Sequence, residues 1–427
     1  MRKFTWIAAL IVAGGACGFF IYGKASPQYL LCRLAFDYYL IKDSGEIRDE
    51  VNSGLSSTYY FTSYYLNGIL SAAEGTGSEH LLRVAMRYMD AMIATAEEYE
   101  DHGRKYKAWR PFTVDTTSML PRPNLHFTLQ ATVPLARAAA IIMTHPEWKA
   151  KYGGAARRYI EFTDQSIIQY WYHSKLHDQI PWINPDLFPL WNDNASNLAL
   201  NTTFLYQATG DPGYLDVSLK IGRYFRKKIR PYKTGWIWEN QTIPLLSDTD
   251  NTPGSVGNLA GVPDTSHANR EAFLMVAFHE AGILYTRADL ERMAGTFTDT
   301  LWNQSVESPS FANYINGSDK AYRVYKEPGL NGSIYHGWTF TGGYSRKAQQ
   351  VLVNTIKAVL KQKTNPSLER NVASYGGRLG LCGHTLRNFR LLAEQEQLSA
   401  PPVPADTKIQ APVKHRAKPV RKKHRLA

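Results

Sequence analysis

The feature that most constrains this chain is a repeated pair of helices. Four times, an apolar helical stretch ends at a short polar turn and a second, more charged stretch begins. The turns are Glu74-Gly75-Thr76-Gly77-Ser78, Thr144-His145-Pro146-Glu147, Thr209-Gly210-Asp211-Pro212 and Tyr285-Thr286-Arg287. They lead into second helices predicted at 79–100, 148–171, 213–229 and 288–302. In the third turn Gly210 suits a helix C-cap, Asp211 an N-cap and Pro212 the first helical position. First helices are predicted to start near Ser57, His126, Trp191 and Ser266, with a fifth near His336 paired to 347–360. The starts recur every ~70 residues, room for one helical hairpin each.

Residues 131–143 and 272–284 are apolar or small all round, so the first helices must be buried. The second helices carry charged faces, such as Arg157, Arg158 and Glu161, or Arg223, Arg226, Lys227 and Lys228, and belong outside. Alternating inner and outer helices stack as a closed solenoid. The predicted fold class is therefore all-α, an (α/α) toroid of about five to six hairpins. A sixth hairpin would join 29–41 to 379–394 and close the ring through the two ends of the chain. The aromatic share, 12% with 26 Tyr and 10 Trp, is heavy. Many of these rings fall beside Gly, Asn and Pro, where they can line a groove as well as fill a core.

The hairpin spacing, the Ala208-Thr209-Gly210-Asp211-Pro212-Gly213-Tyr214-Leu215 turn and the aromatic-rich loops before the first helices carry a resemblance over roughly 57–360. The chain resembles the (α/α)-toroid carbohydrate-active superfamily of six-hairpin glycosidases and toroid polysaccharide lyases. The resemblance is architectural and points to no single family within it. It implies a polysaccharide partner.

Domain organisation follows from the two ends. Arg2 and Lys3 precede an uncharged stretch at 4–22, long enough to cross a hydrocarbon core of ~30 Å. Residues 1–25 are thus expected to be a transmembrane signal anchor or a cleaved signal peptide, with everything after Lys24 outside the cytoplasm. That places the body, 26–398, on the inner membrane facing the periplasm or cell exterior, or makes it secreted. From 399 to 427 the chain is rich in Pro, Lys and Arg, reads as disordered, and holds more than half of the net charge of +12. Such a tail either contacts an anionic polymer or lipid, or simply solubilises the protein. Export argues against nucleic acid. Cys32 and Cys382 either pair in an oxidising compartment or are buried thiols.

In such a ring the first helices all start on one face, so the residues before and at those starts converge. His126 follows Arg122 and Asn124. Trp191 precedes Asn192, Asp193 and Asn194. Asp264 and His267 stand at i,i+3, where a carboxylate can orient an imidazole, and Asn269 and Arg270 follow them. Tyr335, His336 and Trp338 form the last cluster. Each has a plainer reading: Asp264 or Ser266 as a helix cap, His126 as a buried histidine. His267 at a helix start loses proton affinity to the helix dipole, which suits a neutral base. Trp236 and Trp238 share one face of an extended segment and serve as a sugar platform or as core, with Glu239 beside them. His279-Glu280 has no second His at metal spacing and reads as structural. No phosphate-cradling loop, nucleophile elbow or dinucleotide fingerprint occurs, so no metal or cofactor is expected.

Two chemistries fit. A lyase on a uronate-containing polymer needs groups to neutralise the sugar carboxylate, take the neighbouring proton and protonate the leaving oxygen. His267, Asp264, His126 and Tyr335 are the candidate catalytic residues for it, with Arg122, Asn124 and Arg270 binding the substrate. A glycoside hydrolase needs two carboxyls, for which Asp193, Glu239 and Asp264 are candidates. The excess of His, Asn and Tyr over acids favours the lyase. A non-catalytic polysaccharide-binding or envelope-assembly role remains the third reading.

Overall fold

The computed structural model describes residues 26–101, 103–110, 125–169, 192–239, 262–320, 329–334, 336–361 and 377–399. The proposed export segment and the basic tail beyond 399 lie outside them. The chain runs α1 (Pro27–Lys42), α2 (Ser44–Val51), α3 (Ser56–Thr76), α4 (Glu79–Ala94), β1 (Glu97–Asp101), β2 (Arg104–Ala108), α5 (Leu125–Thr144) and α6 (Pro146–Glu161). It continues with α7 (Asn192–Thr209), α8 (Pro212–Lys228), β3 (Arg230–Tyr232), β4 (Gly235–Ile237), α9 (Asn269–Glu280), α10 (Arg287–Gly295), α11 (His336–Phe340), α12 (Arg346–Leu360) and α13 (Gly377–Ser399).

The hairpins form where the turn chemistry demands them. Gly77 ends α3 in the left-handed region, at φ 66°, and Ser78 then caps α4 by accepting from the Leu81 amide. Asp211 accepts from Gly213 ahead of α8, and Thr286 and Asp289 form a reciprocal capping box for α10.

Packing closes the ring. Helix α3 lies on α5, α5 on α7, α7 on α9, α9 on α11, α11 on α13, and α13 back on α3. The partners α4, α6, α8 and α10 cover their own inner helices, α12 covers the turn after α11, and α1 covers α13. Among the described residues this is an (α/α) toroid of six hairpins, and the sixth pairs the first described helix with the last. At the closure α3 and α13 meet backbone to backbone. A Cβ on Gly68 would stand 2.7 Å from the Leu379 carbonyl, and Gly383 in turn abuts the Gly68 carbonyl.

Among the described residues one stretch, His126–Thr144, is long and apolar enough to cross a membrane, and 83% of it is buried inside the ring. Cys32 and Cys382, on the packed pair α1 and α13, are free buried thiols. Burial pushes Cys32 up to about 12 and Cys382 well above the ordinary thiol range. Of the two expectations, the buried thiols are what the structure shows.

The differences from expectation are local. Second helices α4, α6 and α10 end earlier than predicted, α4 at Ala94 ahead of strand β1, and α6 and α10 by widening into π turns at Phe162–Ile168 and Thr296–Leu301. Helix α9 begins at Asn269, three residues after the predicted start. The Asp264 carboxylate takes the Ser266 and His267 amides at 2.9 and 3.0 Å, holding 264–267 as a turn. Two short antiparallel hairpins, β1–β2 and β3–β4, follow α4 and α8.

Candidate functional site at the ring mouth

Because hairpins alternate direction, the six inner helices start at one end of the ring, and their first turns supply the mouth. Tyr60 comes from α3, His126 and Gln130 from α5, Asn194 from α7, and Arg270 from α9. His126 Nδ1 lies 2.6 Å from Asn194 Oδ1, and its ring sits 4.9 Å from that of Tyr60. The Arg270 Nε donates to Gln130 Oε1 at 2.7 Å, its Nη2 reaches the Tyr60 hydroxyl, and Gln130 Nε2 donates to the Tyr60 carbonyl at 2.8 Å. Three helices far apart in sequence are thus joined around one guanidinium, itself buried at 4% exposure.

Beside it stands the Asp264–His267 pair. Asp264 Oδ2 is 2.6 Å from His267 Nδ1, while Oδ1 accepts from the Ser266 hydroxyl at 2.6 Å and from two amides. Burial pushes this carboxyl up, but the His267 charge and these hydrogen bonds outweigh it and hold it below the usual carboxylate range. The turn is anchored from behind: Thr265 donates to Ala312 O at 2.7 Å, and the Trp338 indole donates to Thr265 O at 2.9 Å. Asp264 is buried and His267 is half-exposed, so a fixed carboxylate orients a ring that solvent can reach.

Below the mouth a polar stripe runs down the ring axis. On α3 it reads Tyr60, Tyr64, Asn67, Ser71 and Glu74, alternating four- and three-residue steps along one face over ~20 Å. Tyr64 stacks 4.3 Å from the His336 ring. His336 Nδ1 lies 3.2 Å from His384 Nε2, and His384 Nδ1 lies 2.7 Å from Ser71 Oγ. Arg137 donates to Ser71 Oγ at 2.8 Å and to the Glu74 carboxylate. At the far end Arg387 bridges Glu74 at 3.3 Å and Glu280 at 2.7 Å. Burial and the nearby arginines hold both His336 and His384 well below the ordinary imidazole range, so both are neutral.

Of the residues singled out in the sequence, the structure brings His126, Asp264, His267, Asn269 and Arg270 to the mouth. His336 sits one level down. The expected cap role of Asp264 is corrected: α9 starts five residues later, and the carboxylate instead shapes the turn and holds His267. Asn269 is buried, its amide donating to the Ser266 carbonyl. The tryptophan platform is also corrected. Trp238 and Trp338 are fully buried and stack at 6.0 Å, with Phe225 closing the other side of Trp238. Trp236 is half-buried, its backbone tied to Thr296 in the β3–β4 hairpin. Glu239 pairs with Lys228, at 3.7 Å, on the outer helix α8. His279 bonds the Tyr285 carbonyl and Glu280 holds Arg387 and Tyr344, the structural role expected of that pair. Arg122, Asn124, Trp191 and Tyr335 lie outside the described residues, as do the side chains of Asn192 and Asp193.

Sequence reasoning missed Tyr60, Tyr64, Gln130, His384 and Glu271, a buried acid in the first turn of α9 that accepts from Ser196 at 3.2 Å. The signal for the tyrosines was available: polar residues in three- and four-residue steps on an otherwise apolar inner helix.

The sequence matches no family model and no curated protein. Among solved structures it is similar to a polysaccharide lyase, at 12% identity and TM-score 0.43 over 84% of this chain and 100% of the other. It is also similar to two family 76 glycoside hydrolases. One, a mannosidase from Bacteroides thetaiotaomicron VPI-5482, shares 9% identity at TM-score 0.38 over 79% of this chain and 88% of the other. The second, from a bovine Bacteroides thetaiotaomicron strain, shares 10% at TM-score 0.37 over 79% and 69%. Likenesses at this level carry no argument about chemistry. The ring stands on this chain's own helix contacts, and the mouth on its own side chains.

Proposed function

We propose that this chain cleaves a polysaccharide outside the cytoplasm, by β-elimination at a uronate residue held in the ring mouth. The observation that carries the proposal is the Asp264–His267 pair: a buried carboxylate fixed through both oxygens, with 2.6 Å to the Nδ1 of a half-exposed imidazole. With the Nδ1 proton directed at Asp264, Nε2 is the nitrogen that takes a proton. Elimination then runs in balance. His267 removes the proton on the carbon beside the sugar carboxylate, those electrons form a carbon–carbon double bond, and the bond to the leaving oxygen breaks. That oxygen takes a proton from a phenol, for which Tyr60 and Tyr335 are the candidates. Arg270 and the His126–Asn194 pair supply charge and hydrogen bonds for the carboxylate.

One observation favours a hydrolase as the second reading: Glu271 is a further buried carboxyl in the first turn of α9, near Asp264 in sequence. A non-catalytic binder is the third.

The test is the full chain incubated with a panel of acidic and neutral polysaccharides, following ultraviolet absorbance of the unsaturated product together with reducing ends. Elimination gives both signals on an acidic polymer. Reducing ends alone move the chemistry to the carboxyls. His267→Gln is expected to lower turnover ~10²–10⁴-fold while binding changes only a few-fold. If the wild type binds but never cuts, the enzymatic reading is lost.

A further inference from the structure

One outer helix differs from the others in what it shows to solvent. Helix α4 exposes Arg83 and Arg87, α8 exposes Arg223 and Lys227, and α12 exposes Arg346 and Lys347. Helix α1 covers α13 and buries Cys32, Phe36 and Tyr39. At ~3.6 residues per turn, its opposite side is a single arc of about 100° holding Pro27, Leu30, Leu31, Leu34, Tyr38 and Ile41, all at least partly exposed. Tyr38 is 40% and Ile41 76% exposed, two of the three large hydrophobic side chains so exposed among the described residues. The charges of α1 keep to the borders of this arc. Arg33 and Asp37 pair at 2.8 Å on one side, and Lys42 lies on the other. A helix apolar on both faces needs a second apolar surface to cover it.

The sequence leading into α1 indicates what that surface is. Residues 4–22 are an uncharged stretch long enough to span a bilayer, and only 23–26 separate it from Pro27. Four residues reach at most ~14 Å, so with 4–22 as an anchor α1 starts at the membrane surface. A second copy of the chain is the weaker occupant. A strip ~10 Å wide along 16 residues, at ~1.5 Å each, is about 240 Å², against the ~800 Å² that each partner gives to a standard interface. Folding 4–22 back onto α1 only moves the problem outward, because its own far side would then present apolar residues to water.

We infer that α1 lies in the headgroup region of a lipid bilayer with this arc sunk to the acyl boundary, seating the ring on the membrane by its outer wall. An apolar face with charged borders is what an interfacial helix requires, and Tyr38 supplies an amphipathic ring suited to that depth. The seat also sets where the mouth points. Tyr29 packs 5.8 Å from Phe389, well along α13, while Arg378 at the start of α13 lies over the Tyr39 ring. Helix α1 therefore runs antiparallel to α13 and begins at the end of the ring away from the mouth, which a bilayer under α1 leaves open. None of this depends on the chemistry at the mouth; it takes residues 1–25 as an anchor that stays on the chain.

The test uses the full chain with Cys17→Ser, reconstituted in vesicles of phosphatidylethanolamine and phosphatidylglycerol. Cys32 and Cys382 are buried beyond a label's reach. Nitroxides are placed at Leu34→Cys and Ile41→Cys on α1, and at Arg223→Cys on α8 across the ring. Both α1 labels should collide several-fold more with oxygen, relative to a water-soluble nickel chelate, than the α8 label does. Adding Tyr38→Asp should lower the ratio at Leu34→Cys several-fold and leave Tm unchanged, because the side chain replaced is an exposed one. Labels on α1 as open to nickel as the α8 label overturn the inference. So do labels shielded from both reagents, since protein then covers the arc, and spin–spin broadening would identify a second copy. Loss of 1–25 from the chain recovered from membranes, read by intact mass, overturns it too. A chain that gives the expected collision ratios and cuts no polysaccharide sinks the elimination proposal and leaves this one standing.

Discussion

At the scale of single residues, the Asp264–His267 contact makes the sharpest demand. Asp264→Asn keeps the shape and the acceptor oxygen for the Ser266 and His267 amides. Its amide nitrogen, however, faces His267 Nδ1 with a donor, which drives the ring to the tautomer with hydrogen on Nε2 and removes the base. Turnover should fall ~10³–10⁴-fold with little change in melting behaviour, measured as kcat and Tm on the same preparation. A drop below about tenfold would remove the pair from the chemistry. The charge also leaves a signature in stability. The folded carboxyl is held below its unfolded value, so its contribution is present above ~4 and is lost as pH falls through the folded pKa. Wild type and Asp264→Asn should therefore converge in stability under acid and diverge above that range. This pair was legible in the sequence because its two members are three residues apart. The Tyr60–Gln130–Arg270 junction was not, since Gln130 and Arg270 are separated by 140 residues and only ring closure joins them.

At the scale of elements, two contacts on α3 test how its neighbours are seated. Glu50, at the end of α2, accepts from Thr62 on α3 at 2.7 Å, and burial pushes its carboxyl up to about 7. Here the folded value lies above the unfolded one, so the buried charge costs nothing well below ~4.5 and its full amount above about 7. Glu50→Gln keeps an acceptor for Thr62 and should raise stability by roughly 1–2 kcal/mol at pH 8, discounted for partial exposure, with a gain that shrinks as pH falls and is gone by about pH 3.5. Paired denaturant titrations at the two pH values check it, and equal effects at both would remove burial as the cause. The opposite face of α3 carries Gly68, where an added methyl would meet the α13 backbone at 2.7 Å. Gly68→Ala gains helix propensity, about 1 kcal/mol, yet should still destabilise by ~1–3 kcal/mol because backbone cannot move aside as a side chain does. Neutral or improved stability would show that the two helices can separate slightly at no cost. Hairpin turns such as Gly210-Asp211-Pro212 were readable because capping is local. The shortened α6, α10 and the late start of α9 were not, since each is set by a side chain or turn that competes with the helix.

At the scale of the whole molecule, the decisive fact is that α13 returns to α3 and α1 covers it. An open solenoid loses a terminal hairpin and keeps the rest, because each repeat touches only its neighbours. Here the last inner helix carries Arg387, buried against Glu74 of α3 and Glu280 of α9, and Arg390, which donates to the Glu74 carbonyl at 2.6 Å. Removing α13 leaves Glu74, Glu280 and Arg137 in an opened, charge-unbalanced core, where one broken buried pair alone costs about 3–5 kcal/mol. That is a large part of the ~5–15 kcal/mol that holds a typical domain together. A chain ended before Gly377 is therefore expected to lose the entire ring, with no protected amides left in α5 or α7 by hydrogen exchange. The intact chain should instead unfold in one transition, with α1 and α13 as protected as α5. The hairpin period predicted five turns of this ring, and the sixth followed only from asking what would cover the ends. A truncated chain that keeps native protection in α5, α7 and α9 would mean the closure is a lid on a stable solenoid, and the axis built on Ser71, His384 and Arg137 would then have to form without the histidine that α13 supplies.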